Sequence, residues 1–336
     1  MNKTQQLSIE LMKSDLRLLY TVMINRDKLK NNYIISLLPF IGIIIDGIED
    51  WINSYNNSSK ETLSAPIFTV EEKEYYEKIR NSIKMWELDY KEIDEKFTHE
   101  YEKNKQYFKK KCHPIARKLN LYDIYGVDIN DSYFCGNTIL FTLYWPNLDL
   151  NNIDGEFIAR VSEIAGKYIA VFGAIPEYAT DKKMIFDNCD YGGLKKMPFG
   201  NEYNYKFLLF SMLCQINFVL ISVDKWIIEE VPTKLRFLYL IYYYIIKMLP
   251  KVYEETGIKI IINDTYVSVG FRNAMAHYKL GVALNEKEII MNDMMYGLTQ
   301  KYLELDYYSL KEAIINELES VRKQLNFILN IDSKDY

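Results

Sequence analysis

The stretch "TKLRFLYLIYYYIIKMLPKVYEE" (233–255) decides how the fold is read. It follows Pro232, which suits the first turn of a helix because it has no amide hydrogen to leave unpaired there. A helix is therefore expected across the stretch, broken before Pro250. Upstream, Phe207 to Ile228 reads as a core helix, and downstream a shorter helix carries "FRNAMAHYKLG" (271–281). A last helix opens at "SLKE", where Ser309 and Glu312 have capping-box spacing, and places Ile314, Leu318, Val321, Leu325 and Ile328 on one face. Four helices with short connections suggest a bundle over residues 203–331.

The first 200 residues read as a separate, mostly helical region of unknown fold. Met12, Leu16, Leu19 and Met23 mark an N-terminal helix face, and a polar break at 53–66 follows the apolar segment 33–48. From Val70, an apolar seam through Ile79, Ile83, Trp86, Tyr90, Ile93 and Phe97 predicts one long helix, or a helical hairpin, over about 70–112. Residues 120–200 gather glycines and prolines, so turns, short strands and one helix around Ile153 to Val171 are expected. The fold class is thus mainly α, with a regulatory or sensing region at 1–200 and a helical bundle at 201–336.

Composition narrows the function. A formal charge of −5 argues against a general nucleic-acid coat protein but leaves room for a local basic site. Cys112, Cys135, Cys189 and Cys214 form no CxxC pair, which fits reduced thiols, and adjacent Cys112 and His113 alone make no tetrahedral site; no metal or other cofactor is expected. Glu10 and Asp15 interrupt any signal-peptide core, and the chain is expected in the cytoplasm. The apolar runs 33–45 and 207–223 read as buried helices, with a peripheral membrane contact as the alternative for the first.

Chemistry concentrates in "FRNAMAHYKLG". With Asn263 or Asp264 as cap, a helix to about Tyr278 puts Val267, Phe271, Ala274 and Tyr278 on a buried stripe. Arg272, Asn273 and His277 then lie about 140°, 240° and 280° around from Val267, away from that stripe and bracketing the small Ala276. Asn273 and His277 are one turn apart, so Asn273 is expected to orient the imidazole. Arg272 and His277 are far enough apart on the wheel to favour a site completed by a second copy of the helix. Gly270 lowers helix propensity just before the trio.

The run of Arg272, a polar residue, three further residues and His277 resembles the HEPN superfamily, whose nucleolytic members include toxins, abortive-infection proteins and CRISPR-associated ribonucleases. The resemblance covers about residues 203–331 and is sharp only at 272–277. It implies a helical bundle with the motif on a late helix, two protomers pairing their motif helices, and cleavage of RNA without a metal. In that scheme the neighbouring 2′-hydroxyl attacks the phosphate. His277 moves protons, Arg272 grips phosphate oxygens, and Asn273 orients His277 or touches the ribose.

Lys279 and Tyr278 would flank the substrate, Lys279 by phosphate attraction, although Tyr278 also fits the core. RNA, a second copy of the chain and a regulatory partner or trigger are the expected partners, with no stable membrane insertion. A non-catalytic helical module binding RNA or a nucleotide, and a membrane-peripheral interaction protein, are the competing readings.

Overall fold

The computed structural model describes residues 2–59, 62–64, 66–145, 156–172, 176–200, 202–278, 284–290 and 292–331. The fold is mainly α, with one small sheet. Two long helices open it: α1 (Lys3–Ile24) and α2 (Arg26–Ser58), which meet at Asn25. Asn2 caps α1 reciprocally with Gln5, and Met12, Leu16 and Leu19 are fully buried as the spacing predicts. Most of the apolar run 33–45 lies buried in α2.

The seam from Val70 does not form one helix. It divides into α3 (Val70–Ser82), a 3-10 turn (Ile83–Glu87) and α4 (Tyr90–Lys111). Asp89 and Glu92 cap α4 reciprocally, restarting the helix. Ile83, Met85 and Trp86 are all buried, so packing favours the tighter turn that points them inward. The Lys251 ammonium donates to the Glu87 and Leu88 carbonyls at 2.9 and 2.7 Å, fastening the end of that turn to a later helix.

After the short α5 (Pro114–Lys118), three strands form an antiparallel sheet in the order β2-β1-β3: β1 (Asp123–Asn130), β2 (Tyr133–Asn137) and β3 (Phe186–Gly192). Asp131 and Ser132 take positive φ of 48° and 65° in the two-residue turn between β1 and β2, matching the twist of the hairpin. Asn137 ends β2 and caps α6 (Thr138–Tyr144). The helix α7 (Glu156–Phe172) follows.

The C-terminal helices are α8 (Tyr205–Asn217), continued as a π-helix (Phe218–Lys225), α9 (Pro232–Thr256), α10 (Val269–Ala276), α11 (Tyr296–Leu303) and α12 (Tyr307–Leu329). Three boundaries differ from expectation. α9 runs through Pro250, because Leu249 and Val252 on either side are locked in the core, and ends at Gly257 in the left-handed region (φ 73°). The cap of α12 is Asp306, accepting from the Ser309 amide at 2.8 Å, not Ser309. α10 is shorter at both ends than predicted. One buried cluster takes side chains from Leu7 to Ile331, so residues on both sides of position 200 share a core.

Candidate functional site

The segment leading into α10 is irregular because its backbone is bonded elsewhere. The Asn263 side chain accepts from the Thr265 amide and the Asp264 carbonyl from the Val267 amide, closing turns instead of opening a helix. Gln324 of α12 pairs with both backbone groups of Ile261, and Glu317 accepts from the Asn263 amide. From α9, the Tyr242 hydroxyl donates to the Asn263 carbonyl and the Tyr239 hydroxyl to that of Tyr266, while also accepting from the Ser268 amide. Ser268 therefore caps α10, its hydroxyl accepting from the Phe271 amide at 3.2 Å.

The helix is anchored by Phe271 and Met275, both buried one turn apart, in place of the longer stripe from Val267 to Tyr278. Phe271 meets the Tyr239 ring edge-on, with centroids 4.5 Å apart. Gly270 lies directly against α11: a Cβ there would stand 2.5 Å from the Tyr302 ring.

A buried polar knot ends α10. The Arg236 guanidinium of α9 donates to the Met275 carbonyl from Nε at 3.0 Å and Nη2 at 2.6 Å. Arg236 forms an ion pair with Asp15 of α1, and both are almost wholly enclosed. The Tyr278 hydroxyl donates to Asp15 and accepts from Arg236. The Thr233 hydroxyl donates to Asp15 at 2.6 Å, and the Ser8 hydroxyl donates to the Tyr278 carbonyl at 2.7 Å. Gly47 of α2 leaves room for the Tyr278 ring, which a Cβ would meet at 2.9 Å. With Tyr278 drawn inward, the chain leaves the helix at His277, which is extended (φ −134°, ψ 157°).

The trio is consequently not arranged as the helical wheel implies. Asn273 is exposed, and its side-chain oxygen accepts from Arg272 Nη1 at 2.9 Å, so it orients the guanidinium, not the imidazole. Arg272, with its side chain 17% exposed, also pairs with Glu87 of the 3-10 turn, and its guanidinium carbon lies 5.6 Å and 5.4 Å from the centres of the Tyr243 and Tyr244 rings. Burial pushes the Tyr244 hydroxyl up to about 12 despite the opposing pull of Arg272, so its ring faces the cation as a neutral phenol. His277 is half-buried just past the helix end.

Tyr278, expected to touch substrate, is a core residue. Burial pushes its hydroxyl up to about 12, and Arg236 opposes that rise. Lys279 lies outside the described residues. The sequence reading missed Glu87, Asp15, Arg236 and the Tyr243 and Tyr244 rings. Asp15 could have been found, because it sits among Met12, Leu16 and Leu19 on a helix otherwise reading as core; Arg236, the one arginine of 233–255, was its natural partner.

A cleft of about 870 Å³ opens beside the 3-10 turn, which contributes Met85 to its wall. Its Lys78, Lys84 and Lys96 are balanced by Glu92, Glu95 and Glu100, so its charge does not select a polyanion. Among the described residues no group of His, Cys, Asp and Glu is placed to hold a metal ion. Among the described residues one segment, Tyr205–Lys225, is long and apolar enough to cross a membrane, and 94% of its most apolar window is buried inside the protein. The chain matches no family model, no curated protein and no solved structure in comparison.

Proposed function

We propose that this protein is a metal-independent endoribonuclease of HEPN type, acting as a toxin or abortive-infection effector. The observation that carries the reading is the guanidinium of Arg272, 5.6 and 5.4 Å from the centres of the Tyr243 and Tyr244 rings and bonded to Asn273 and Glu87, on a short helix that ends at His277. A cation held in this way loses little freedom on gripping a phosphate, and a histidine five residues on supplies an imidazole that can exchange a proton. His277 takes the proton of the attacking 2′-hydroxyl or delivers one to the leaving oxygen, while Arg272 stabilises charge on the phosphate. A second copy of α10 completes the site, which suits flexible single-stranded or looped RNA that can bend into line.

The contact between Arg272 and Glu87 favours a second reading, a non-catalytic helical module, because the same cation is already neutralised within the chain. RNA cleavage in EDTA by the purified protein, measured alongside its mass in solution, separates the two. Cleavage by a dimer supports the nuclease, full activity in a monomer contradicts the composite site, and tight binding that leaves RNA ends unaltered favours the module.

A further inference from the structure

The far end of α4 carries Lys109, Lys110 and Lys111 in its last turn, and α5 adds Arg117 and Lys118. All five are exposed, and among the described residues none forms an ion pair. In a chain of net charge −5 this is a local reversal of sign. The exposed acid closest in sequence beyond α5 is Asp123, at the start of β1, and Glu102 on α4 is paired with Lys105.

Large aliphatic side chains stand among these cations. Ile115 and Leu119 are stacked one turn apart, the Leu119 amide donating to the Ile115 carbonyl at 3.1 Å, and are 64% and 62% exposed. Leu121 is tied back by its amide, which donates to the Ala116 carbonyl at 2.8 Å. The loop after β3 packs against it: the Gly193 amide donates to the Tyr122 carbonyl at 3.0 Å, and a Cβ on Gly193 would lie 2.8 Å from Leu121 Cα. That contact brings Leu194, 82% exposed, and the exposed Lys196 to the same tip. Arg117 donates to the Lys110 and Cys112 carbonyls and Lys111 to the Tyr107 hydroxyl, which hold these cations without neutralising them. Single exposed aliphatics are ordinary on protein surfaces, but a tip combining these with cations that no described carboxylate neutralises is not.

We propose that this tip is a docking surface for an anionic lipid bilayer, with the cations against headgroups and Ile115, Leu119 and Leu194 seated at the acyl boundary. The charge complements an anionic leaflet, and aliphatic chains gain by entering hydrocarbon. Single-stranded nucleic acid instead favours open aromatic faces. Here the neighbouring rings are half-buried beneath cations, Tyr107 under Lys111 and Tyr122 under Lys109. Docking here is independent of the nuclease reading, since none of these residues belongs to α10 or its contacts.

The full chain is sedimented with phosphatidylcholine vesicles and with vesicles containing about one-third phosphatidylglycerol. Binding is expected only to the anionic vesicles and is weakened by about 0.5 M salt. Leu119→Ser with Leu194→Ser, and separately Lys109→Glu with Lys111→Glu, each lower partitioning at least about tenfold with unchanged thermal melting. Leu194→Ser alone provides a further test if either pair alters the melt. Equal binding to both vesicle types, or none, overturns the proposal. So does a serine pair that partitions like the parent while the glutamate pair loses oligo-uridine RNA binding, which assigns the tip to nucleic acid.

Discussion

The Glu87 carboxylate accepts a hydrogen bond from Arg272 Nη2 across 185 positions of sequence, joining the 3-10 turn before α4 to helix α10. This ion pair sets how much positive charge the motif helix presents. Glu87→Gln keeps the shape and removes the opposing charge. The expected result is a KM for RNA lowered about three- to tenfold with kcat little changed, because the carboxylate competes with phosphate for the guanidinium in the free enzyme. Kinetics on a short oligonucleotide check this, and a raised KM would show that Glu87 positions Arg272 instead of restraining it.

The knot below α10 is a stability element. Asp15→Asn keeps the volume but leaves the Arg236 cation without its counter-charge in the interior, and such a loss costs about 3–5 kcal/mol. Tyr278→Phe removes one hydroxyl while the charges still meet, for which about 1–3 kcal/mol is expected. Urea unfolding of both variants should rank them in that order. Asp15→Asn within about 1 kcal/mol of the parent would mean that the ion pair contributes little net stability.

Gly270→Ala pits propensity against packing. Alanine favours a helix by about 1 kcal/mol over glycine, but the new methyl would stand 2.5 Å from the Tyr302 ring. Overpacking of that kind costs about 1–3 kcal/mol, so the variant should melt lower. With Tyr302→Ala as background, the same substitution should become neutral or stabilising.

Glu230 gives a pH signature. Burial raises its carboxyl, but hydrogen bonds from Lys311 and Tyr307, together with the charges of Lys311 and Lys234, outweigh that effect and hold it below the usual value. Its stabilising contribution is therefore complete above the unfolded-state value, near 4.3 for a typical glutamate, and is lost as pH falls through the lower folded value. The melting-temperature gap between parent and Glu230→Gln should be constant through neutral pH and shrink only below about pH 4. A gap that is flat down to the acid limit of folding would remove Glu230 from that role.

The core helices were legible because burial imposes a period: Met12, Leu16 and Leu19 in α1, and Ile314, Leu318, Val321 and Leu325 in α12, all lie buried where the spacing puts them. Boundaries were less so, since they depend on tertiary partners. Pro250 did not break α9, and the tethers from Gln324, Glu317, Tyr239 and Tyr242 displaced the start of α10 by several residues. The trio was visible in the sequence but its geometry was not. Arg236 and Tyr278 pull the chain inward immediately after the helix, so helical angles do not extend to His277. Glu87 carried no local signal, because nothing in 83–89 states that a 3-10 turn will bring its carboxylate to α10.

The most direct test is a cleavage assay with an end-labelled single-stranded RNA in excess EDTA, comparing the parent with Arg272→Ala and His277→Ala after their folds are matched by circular dichroism. The expected result is fragments ending in 2′,3′-cyclic phosphate or 3′-phosphate from the parent and none from either variant. Cleavage that persists in both variants, or that EDTA abolishes in the parent, would contradict a metal-free site built on Arg272 and His277.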